Sequence, residues 1–468
     1  MKYLILLIAA IILLTGYGYA ADKPAAVTLN ECIYIALQNN TSVKASEEDK
    51  NKALAEYRVA RAQQYPILNF DLRSQQYPKT IATHPYAAYF EFPYNTYLNQ
   101  RAQRQQEGSF EISRYYNLGL SFGLVAGITL YDEKKNRMID SARSGVELSQ
   151  FQSRKAIYDV IYNVKKNYYL YVMAKDNILL REKLLKSNED RLKITELLYK
   201  NAQKPILDLN RARYEYNEAK LELQKAKNSS RVAKMELFMS MGISDPGVDI
   251  VPQEYAALPQ IKYAIDELNK LGDLNYPDLQ IARQQKKANK IKINVERGGH
   301  YPTVELQGGA SYENGNLNAA TIGRDFVDSG NWRWAGFFGF VARFPIYSGG
   351  AVNAKIDSAK AEYNKSVYKE KEAGTVMRAT VENCHLSLLE LREQIDISLL
   401  MLDNAEKQTL LAKKTYQSGA GTQLDLHDAN VSLINARIGY AKAKYDYLMT
   451  LAKLSSIVGL GEESLCKK

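Results

Sequence analysis

Tyr65-Pro66-Ile67-Leu68-Asn69-Phe70-Asp71-Leu72-Arg73 returns in altered form as Tyr301-Pro302-Thr303-Val304-Glu305-Leu306-Gln307, 236 residues further along (301 − 65). In both stretches the apolar side chains alternate with polar ones: Leu68, Phe70 and Leu72 against Asn69, Asp71 and Arg73, then Val304 and Leu306 against Glu305 and Gln307. A period of two with one apolar face predicts a β-strand. Return strands follow, with Tyr116, Leu118, Leu120, Phe122 and Leu124 on one face of the first and Trp334, Phe338, Phe340 and Phe344 on one face of the second. Each half therefore carries one hairpin.

The duplication runs well beyond the strands. Ser141-Ala142-Arg143 matches Ser358-Ala359-Lys360, Tyr199 matches Tyr416, Leu207-Asp208-Leu209 matches Leu424-Asp425-Leu426 and Gly242 matches Gly459, all 217 apart (425 − 208). The offset shrinks from 236 to 217 because the first half is longer between these anchors, and Pro78 to Tyr116 supplies most of the excess. Such an insertion belongs in a surface loop. Upstream of each hairpin, Val43 to Ala62 and Leu279 to Val295 are charged, Ala-rich and free of Pro and Gly, and read as helix.

Downstream, three-to-four spacing of residues such as Ile157, Ile161, Val164, Tyr168 and Tyr171 predicts long helices over 133–200 and 352–417. At 1.5 Å per residue each is about 100 Å long, too long for a globular core. A tight turn leads into a returning helix with a seven-residue seam: Ala212, Ala219, Ala226 and Ala233 with Tyr216 and Leu223, repeated as Ala429, Ala436 and Ala443 with Leu433, Tyr440 and Tyr447. Small and large residues at that interval predict antiparallel helices packed knobs into holes. Between the halves, Pro246, Pro252, Pro259 and Gly272 interrupt any helix and suggest a compact side domain.

Composition narrows the class. Lys2, the apolar run Leu4 to Leu14, and the small residues Gly18 and Ala20 read as a secretory signal, with the mature chain expected to begin near Ala21. No Cys lies beside that cut, which argues against a lipid anchor. The apolar run is too short to span a bilayer as a helix, which takes about 20 residues, so a membrane crossing would be made by strands. Cys32, Cys384 and Cys466 show no metal or disulfide spacing and read as packing residues, with Cys466 a candidate free thiol. The formal charge of +10 is spread through mixed-sign helical runs, which speaks for solvated helix faces and no nucleic acid.

Four amphipathic strands cannot close a barrel, since the smallest common closed barrels have about eight. An open sheet has unsatisfied edges that a bilayer does not tolerate, so closure must come from several chains, and three copies give an even twelve strands. Apolar residues would then face lipid while Asn69, Asp71, Arg73, Glu305 and Gln307 face the lumen. Tyr65, Tyr77, Tyr116, Tyr301 and Trp334, at the hairpin ends, would form the interfacial aromatic girdles.

Duplicated halves of helix, Tyr-Pro strand, hairpin, long helix, Tyr-led turn, Asp and Ala-heptad helix resemble the TolC family of outer-membrane efflux proteins. The opening Thr28-Leu29-Asn30-Glu31-Cys32 through Ala36-Leu37-Gln38-Asn39-Asn40 resembles that family's too. The resemblance implies a mainly α fold with a β-barrel part: a tandem repeat of long coiled-coil hairpins, with four strands per chain completing a trimeric twelve-stranded barrel. Boundaries are then 1–20 signal peptide, 21–242 first repeat, 243–276 equatorial-type connector and 277–468 second repeat. It implies a channel-tunnel for efflux or type I secretion in a Gram-negative-type outer membrane, extending into the periplasm. The partners implied are outer-membrane lipid, a periplasmic adaptor and an inner-membrane pump of RND, ABC or MFS type, with no cofactor.

In that family the hairpin tips close the tunnel and meet the adaptor. Carried over, the adaptor-contacting turns are Ala202, Gln203, Lys204 and Pro205 and Gly419, Ala420, Gly421 and Thr422. Tyr416 and Asp208 would be hydrogen-bonding partners in the closed gate, and Asp425 and Asp428 would form a ring of carboxylates that favours cations and raises some of their pKa values by mutual repulsion. The structural alternative makes Asp208 and Asp425 N-caps of the returning helices. Where relatives can carry an Arg five residues after the Tyr, this chain has Gly421, and a more weakly held closed state is expected.

Two other classes fit the residues less well. An enzyme would need reactive clusters, yet His84, His300, His385 and His427 are isolated and no HExxH, GxSxG or phosphate-binding loop is present. A soluble periplasmic coiled-coil scaffold would explain the heptads and the signal, but has no reason to keep aromatic alternating hairpins.

Overall fold

The computed structural model describes residues 27–78, 116–244, 250, 258–318, 332–418 and 420–467. The proposed signal segment, most of the insertion after Pro78, Gly419, His84 and the side chains of Tyr77 and Tyr116 lie outside the described residues. Two compact units are present: a helical unit of Met1–Lys52, Val146–Lys286 and Lys365–Lys468, and a sheet unit of Ala53–Gly145 and Lys287–Asn364.

In chain order the elements of the first half are α1 (Leu29–Asn39), α2 (Thr41–Ala62), β1 (Ile67–Pro78), β2 (Tyr116–Asp132), α3 (Glu133–Lys200) and α4 (Ile206–Met241). A two-residue strand β3 (Gln260–Ile261) leads to the second half, α5 (Ile265–Asn275), α6 (Pro277–Arg297), β4 (Thr303–Asn318), β5 (Arg333–Arg343), α7 (Ala351–Gln417) and α8 (Gln423–Val458), ending in α9 (Glu462–Leu465) and β6 (Cys466–Lys467). The periodicities give α2, α3, α6 and α7 to within two residues, while β2 runs on to Asp132 and β4 to Asn318, past the alternation at their starts. Helix α5 is α1 shifted by 236 residues (265 − 29), which carries the duplication upstream of Pro277 into the stretch read as connector. Phe344 lies one residue past β5, because Thr303, the first residue of β4, is already paired with Arg343.

In the sheet unit, β1-β2-β4-β5 form one antiparallel sheet in that order. β2 has partners on both sides: β1 up to Gly127, and β4 as far as the Asp132–Thr303 pair. β1 and β5 are the edges.

In the helical unit, α1 begins with a capping box. The Thr28 hydroxyl accepts from the Glu31 amide at 3.4 Å, and the Glu31 carboxylate accepts from the Thr28 amide at 2.7 Å. Leu29, Cys32 and Ala36 of α1 pack with Leu237, Phe238 and Met241 at the end of α4. The heptad alanines Ala212, Ala219, Ala226, Ala429 and Ala443 are buried, as close antiparallel packing requires. All three cysteines are buried and none is in a disulfide, as packing residues would be, and burial pushes the Cys32 thiol up to about 11.

Both halves end their returning helix on a left-handed glycine, Gly242 at φ 72° and Gly459 at φ 70°. Each seats against the matching short helix. A Cβ on Gly242 would meet Asn40 Cα at 2.7 Å, and one on Gly459 would meet Asn275 Cβ at 2.6 Å.

Candidate functional site

The sheet separates its side chains by chemistry. The register puts Leu72, Phe122, Tyr312 and Trp334 in one cross-strand row and Phe70, Leu124 and Ala310 in another, all on one face. Phe338 and Phe340 continue that face and are 76% and 69% exposed, and Trp334 is 77% exposed, an extent of apolar display that a water-facing sheet does not sustain. The opposite face carries Asp71, Gly123, Ser311 and Ala335 in one row and Arg73, Ser121, Glu313 and Arg333 in the next. Of the five girdle candidates, Tyr65 and Tyr301 sit at the helix-to-strand junctions. Tyr77 and Tyr116 occupy the distal ends of β1 and β2, and Trp334 the start of β5. Sequence reasoning missed that Tyr312 stacks on Trp332 and lies tilted against Trp334, both at 5.0 Å between ring centroids, although these are the chain's two tryptophans.

At the first hairpin tip the turn bends at Ala202, whose φ of 55° is left-handed. Pro205 is the N-cap of α4 and offers no side-chain cap, so Asp208 is the third helical residue and not the cap. Its carboxylate pairs with Lys204 at 3.1 Å. No hydrogen bond joins Asp208 to the half-buried Tyr416 among the described residues.

At the second tip Thr422 is the N-cap, and Asp425, again the third helical residue, completes a capping box with it. The Thr422 amide donates to Asp425 at 3.0 Å and the Asp425 amide donates to the Thr422 hydroxyl at 3.2 Å. The Thr422 hydroxyl first, and its amide second, hold the Asp425 carboxyl below the ordinary carboxylate range within the single chain, the opposite of the rise expected from a carboxylate ring. The alternative that makes these aspartates N-caps fails by three residues: caps and first-turn positions share the preference for Asp, and at the third position the helix dipole suffices. Asp428, one turn further, is exposed.

Gly421 has a steric reason. The amides of Ala420 and Gly421 both donate to Thr415 O at 3.0 Å, and a Cβ on Gly421 would lie 2.8 Å from Thr415 Oγ1 and 3.1 Å from the Tyr416 nitrogen. A side chain does not fit this turn without shifting it. The repeat offset pairs Gly421 with Lys204 (421 − 217), so the tip cation sits on the first hairpin alone.

Between the two hairpins lies a polar joint that sequence reasoning did not find. Glu215 of α4, its side chain 11% exposed, is held by Arg191 of α3, 14% exposed, and by Arg211 Nε at 3.2 Å. His427 of α8 points its Nε2 at the same carboxylate from 3.6 Å. Asn188 donates to the Glu215 carbonyl at 3.2 Å. Beside the joint Leu184, Ala219 and Ile434 form a small apolar cluster.

The comparisons fit this architecture. A family model described as "Outer membrane efflux protein" matches residues 32–242 and 273–460, two blocks that correspond to the two halves. The chain belongs to the outer membrane efflux protein family. Pseudomonas aeruginosa outer membrane protein OprJ is 22% identical over 440 residues, covering 92% of this chain and 84% of its own. The alkaline protease secretion protein AprF of the same species is 21% identical over 448 residues, covering 94% and 86%. The crystal structure of the Campylobacter jejuni CmeC outer membrane channel superposes with a TM-score of 0.75 at 16% identity, covering 95% of this chain and 91% of that one.

This outer membrane efflux protein is thus a TolC-like channel component of the outer membrane, in a family of efflux and secretion channels. Its long helical hairpins and its strands are those of that fold, and the soluble-scaffold reading is set aside. The family is one of transport, not of enzymes.

Proposed function

We propose that three copies close their sheets into a twelve-stranded barrel and their hairpins into a periplasmic tunnel, handing cargo from an inner-membrane pump of RND, ABC or MFS type through a periplasmic adaptor to the exterior. The observation that carries this reading is the pair of open edges. β2 residues 128–132 are strand only because β4 pairs with them beyond the end of β1. Arg343 pairs with Thr303 as Gly127 pairs with Ile67, an offset of 216 within the strands (343 − 127), so the equivalent stretch after β5 is Phe344-Pro345-Ile346-Tyr347-Ser348; Phe344, Ile346 and Tyr347 are exposed with no strand beside them among the described residues. β1 of a neighbouring copy, the counterpart of β4, supplies the missing partner.

The repeat suggests the register of this closure. Ile128 faces Leu306 within the chain, so Phe344 faces Phe70 of the next copy (306 − 236). Oxidation of detergent-purified Phe70→Cys/Phe344→Cys protein is expected to give a ladder of covalently linked dimer and trimer on denaturing gels. The diagonal pair Leu72→Cys/Phe344→Cys, with Cβ atoms about 7 Å apart where a disulfide needs about 3.8 Å, should remain unlinked. Linkage of the diagonal pair in place of the opposed one would reject this closure.

In this reading Tyr65, Tyr77, Tyr116, Tyr301 and Trp334 lie at the membrane interfaces, and Ala202 to Pro205 and Gly419 to Thr422 meet the adaptor. Asp208, Tyr416, Asp425 and Asp428 stand at the gate. Three copies bring six carboxylates from Asp425 and Asp428 to the constriction, a fixed negative field that admits cations. Single-channel recordings of Asp425→Asn/Asp428→Asn protein are expected to show a clear fall in cation-over-anion permeability with the pore intact. Unchanged selectivity would remove these two residues from the constriction.

A further inference from the structure

We propose that Glu215 is the joint that holds the second hairpin's tip onto the first, and that a proton on His427 loosens it, so that the channel opens as the periplasm turns acidic. The proposal rests on the reading that the tips form the gate. Its geometry is that of a hub: one carboxylate on α4 receives Arg191 from α3, Arg211 from its own helix and His427 from α8, so that α3, α4 and α8 meet on a single charge. Glu215 lies one heptad beyond Asp208, and His427 lies between Asp425 and Asp428 (425 < 427 < 428), which sets the joint beside the proposed gate residues of both hairpins.

Charge balance gives the direction. With His427 neutral, two guanidiniums share one carboxylate. Protonation adds a third cation to a half-buried cluster, where Glu215 and the exposed Asp428 attract it while Arg191 and Arg211 repel it. Burial is the largest influence on His427 and favours the neutral ring; together with the two arginines it outweighs the carboxylates and holds the imidazole below its ordinary value of 6.5. A lowered pKa in the docked form means that docking is at full strength above the undocked pKa, about 6.5, and weakens as the pH falls below it. The joint is also incompletely satisfied, since Arg191 Nε is buried without an acceptor among the described residues, which lowers the cost of leaving the docked arrangement.

The test compares the parent with His427→Gln and His427→Lys in planar bilayers, from about pH 7.5 to about pH 5.5, the span in which an ordinary histidine changes charge. The parent is expected to gain several-fold in open probability on acidification. His427→Gln should stay closed throughout, and His427→Lys, a lasting cation, should be open at both ends. Spin labels at the exposed Asn201→Cys and Ser418→Cys, read by double electron–electron resonance in detergent, are expected to move apart at low pH in the parent and not in His427→Gln. Conducting pores with a flat pH response, or a response that survives His427→Gln, would overturn the joint. Tips that separate on cue in a protein that never conducts would instead sink the gate reading while leaving the joint in place.

Discussion

Gly242→Ala protein is expected to yield less than about a tenth of the parent's assembled material in membranes, because the substitution combines two penalties totalling several kcal/mol in a fold whose stability is typically about 5–15 kcal/mol. The first is conformational: φ is 72°, and an L-residue in the left-handed region costs about 1–2 kcal/mol. The second is steric. The new methyl would lie 2.7 Å from Asn40 Cα, 2.8 Å from the Asn39 carbonyl oxygen and 2.9 Å from its carbon, all backbone atoms that cannot swing aside. Relief requires α1 to draw away from α4, which breaks the Asn40 Nδ2 hydrogen bond to Ser240 O at 2.8 Å and opens the packing of Leu237, Phe238 and Met241.

A control separates the two terms. Gly349, at φ 62° with nothing near a would-be Cβ, should lose only about 1–2 kcal/mol on becoming Ala, the conformational cost alone. Semi-native electrophoresis and thermal melting would read both. Equal losses for the two variants would show that α1 gives way easily and that the close approach is unimportant.

The second large effect concerns the sheet. Phe340→Arg is expected to abolish stable insertion, since an arginine on the lipid face of a barrel costs about 2–4 kcal/mol near the midplane and the proposed three-copy assembly would carry it three times. Phe340 is opposite Leu306 on the apolar face and packs edge-to-face with Phe338, ring centroids 6.3 Å apart. Phe337, three residues before Phe340, points to the other face above Gly309. Phe337→Arg should therefore insert at close to the parent level. Outer-membrane content and heat-modifiable migration of the two variants are the readouts, and the reverse ranking would show that the face assigned to lipid lines the lumen.

Much of this fold is legible in the amino-acid sequence. Alternation located β1, β2, β4 and β5, and the two constant offsets located the matching glycines, because both signals are local or repeated. Helix α5 was hidden: Gly272 and the flanking Pro259 and Pro277 read as punctuation. The glycine is there because Met377 Sδ would lie 2.7 Å from any Cβ, a demand made by a helix about a hundred residues away (377 − 272 = 105). The joint escaped for the same reason. Arg191, Glu215 and His427 have no common spacing, and a lone histidine beside two aspartates is no motif until α8 places it against α4. The capping roles of Thr422 and Pro205 turned on a shift of three residues, finer than the preference for Asp in a first turn can resolve.

Lys204 and Gly421 occupy the same place in the two halves, yet only one brings a charge. Around a three-copy assembly the six tips would then alternate: an ion-paired Asp208, then an Asp425 tied only to a neutral threonine. The electrostatic symmetry of the mouth is threefold where its backbone approaches sixfold. A partner ring of six identical protomers would find two chemically distinct berths, so half of its contacts should be salt-sensitive in one way and half in another. Docking isotherms resolved by ionic strength would reveal that division as two classes of site.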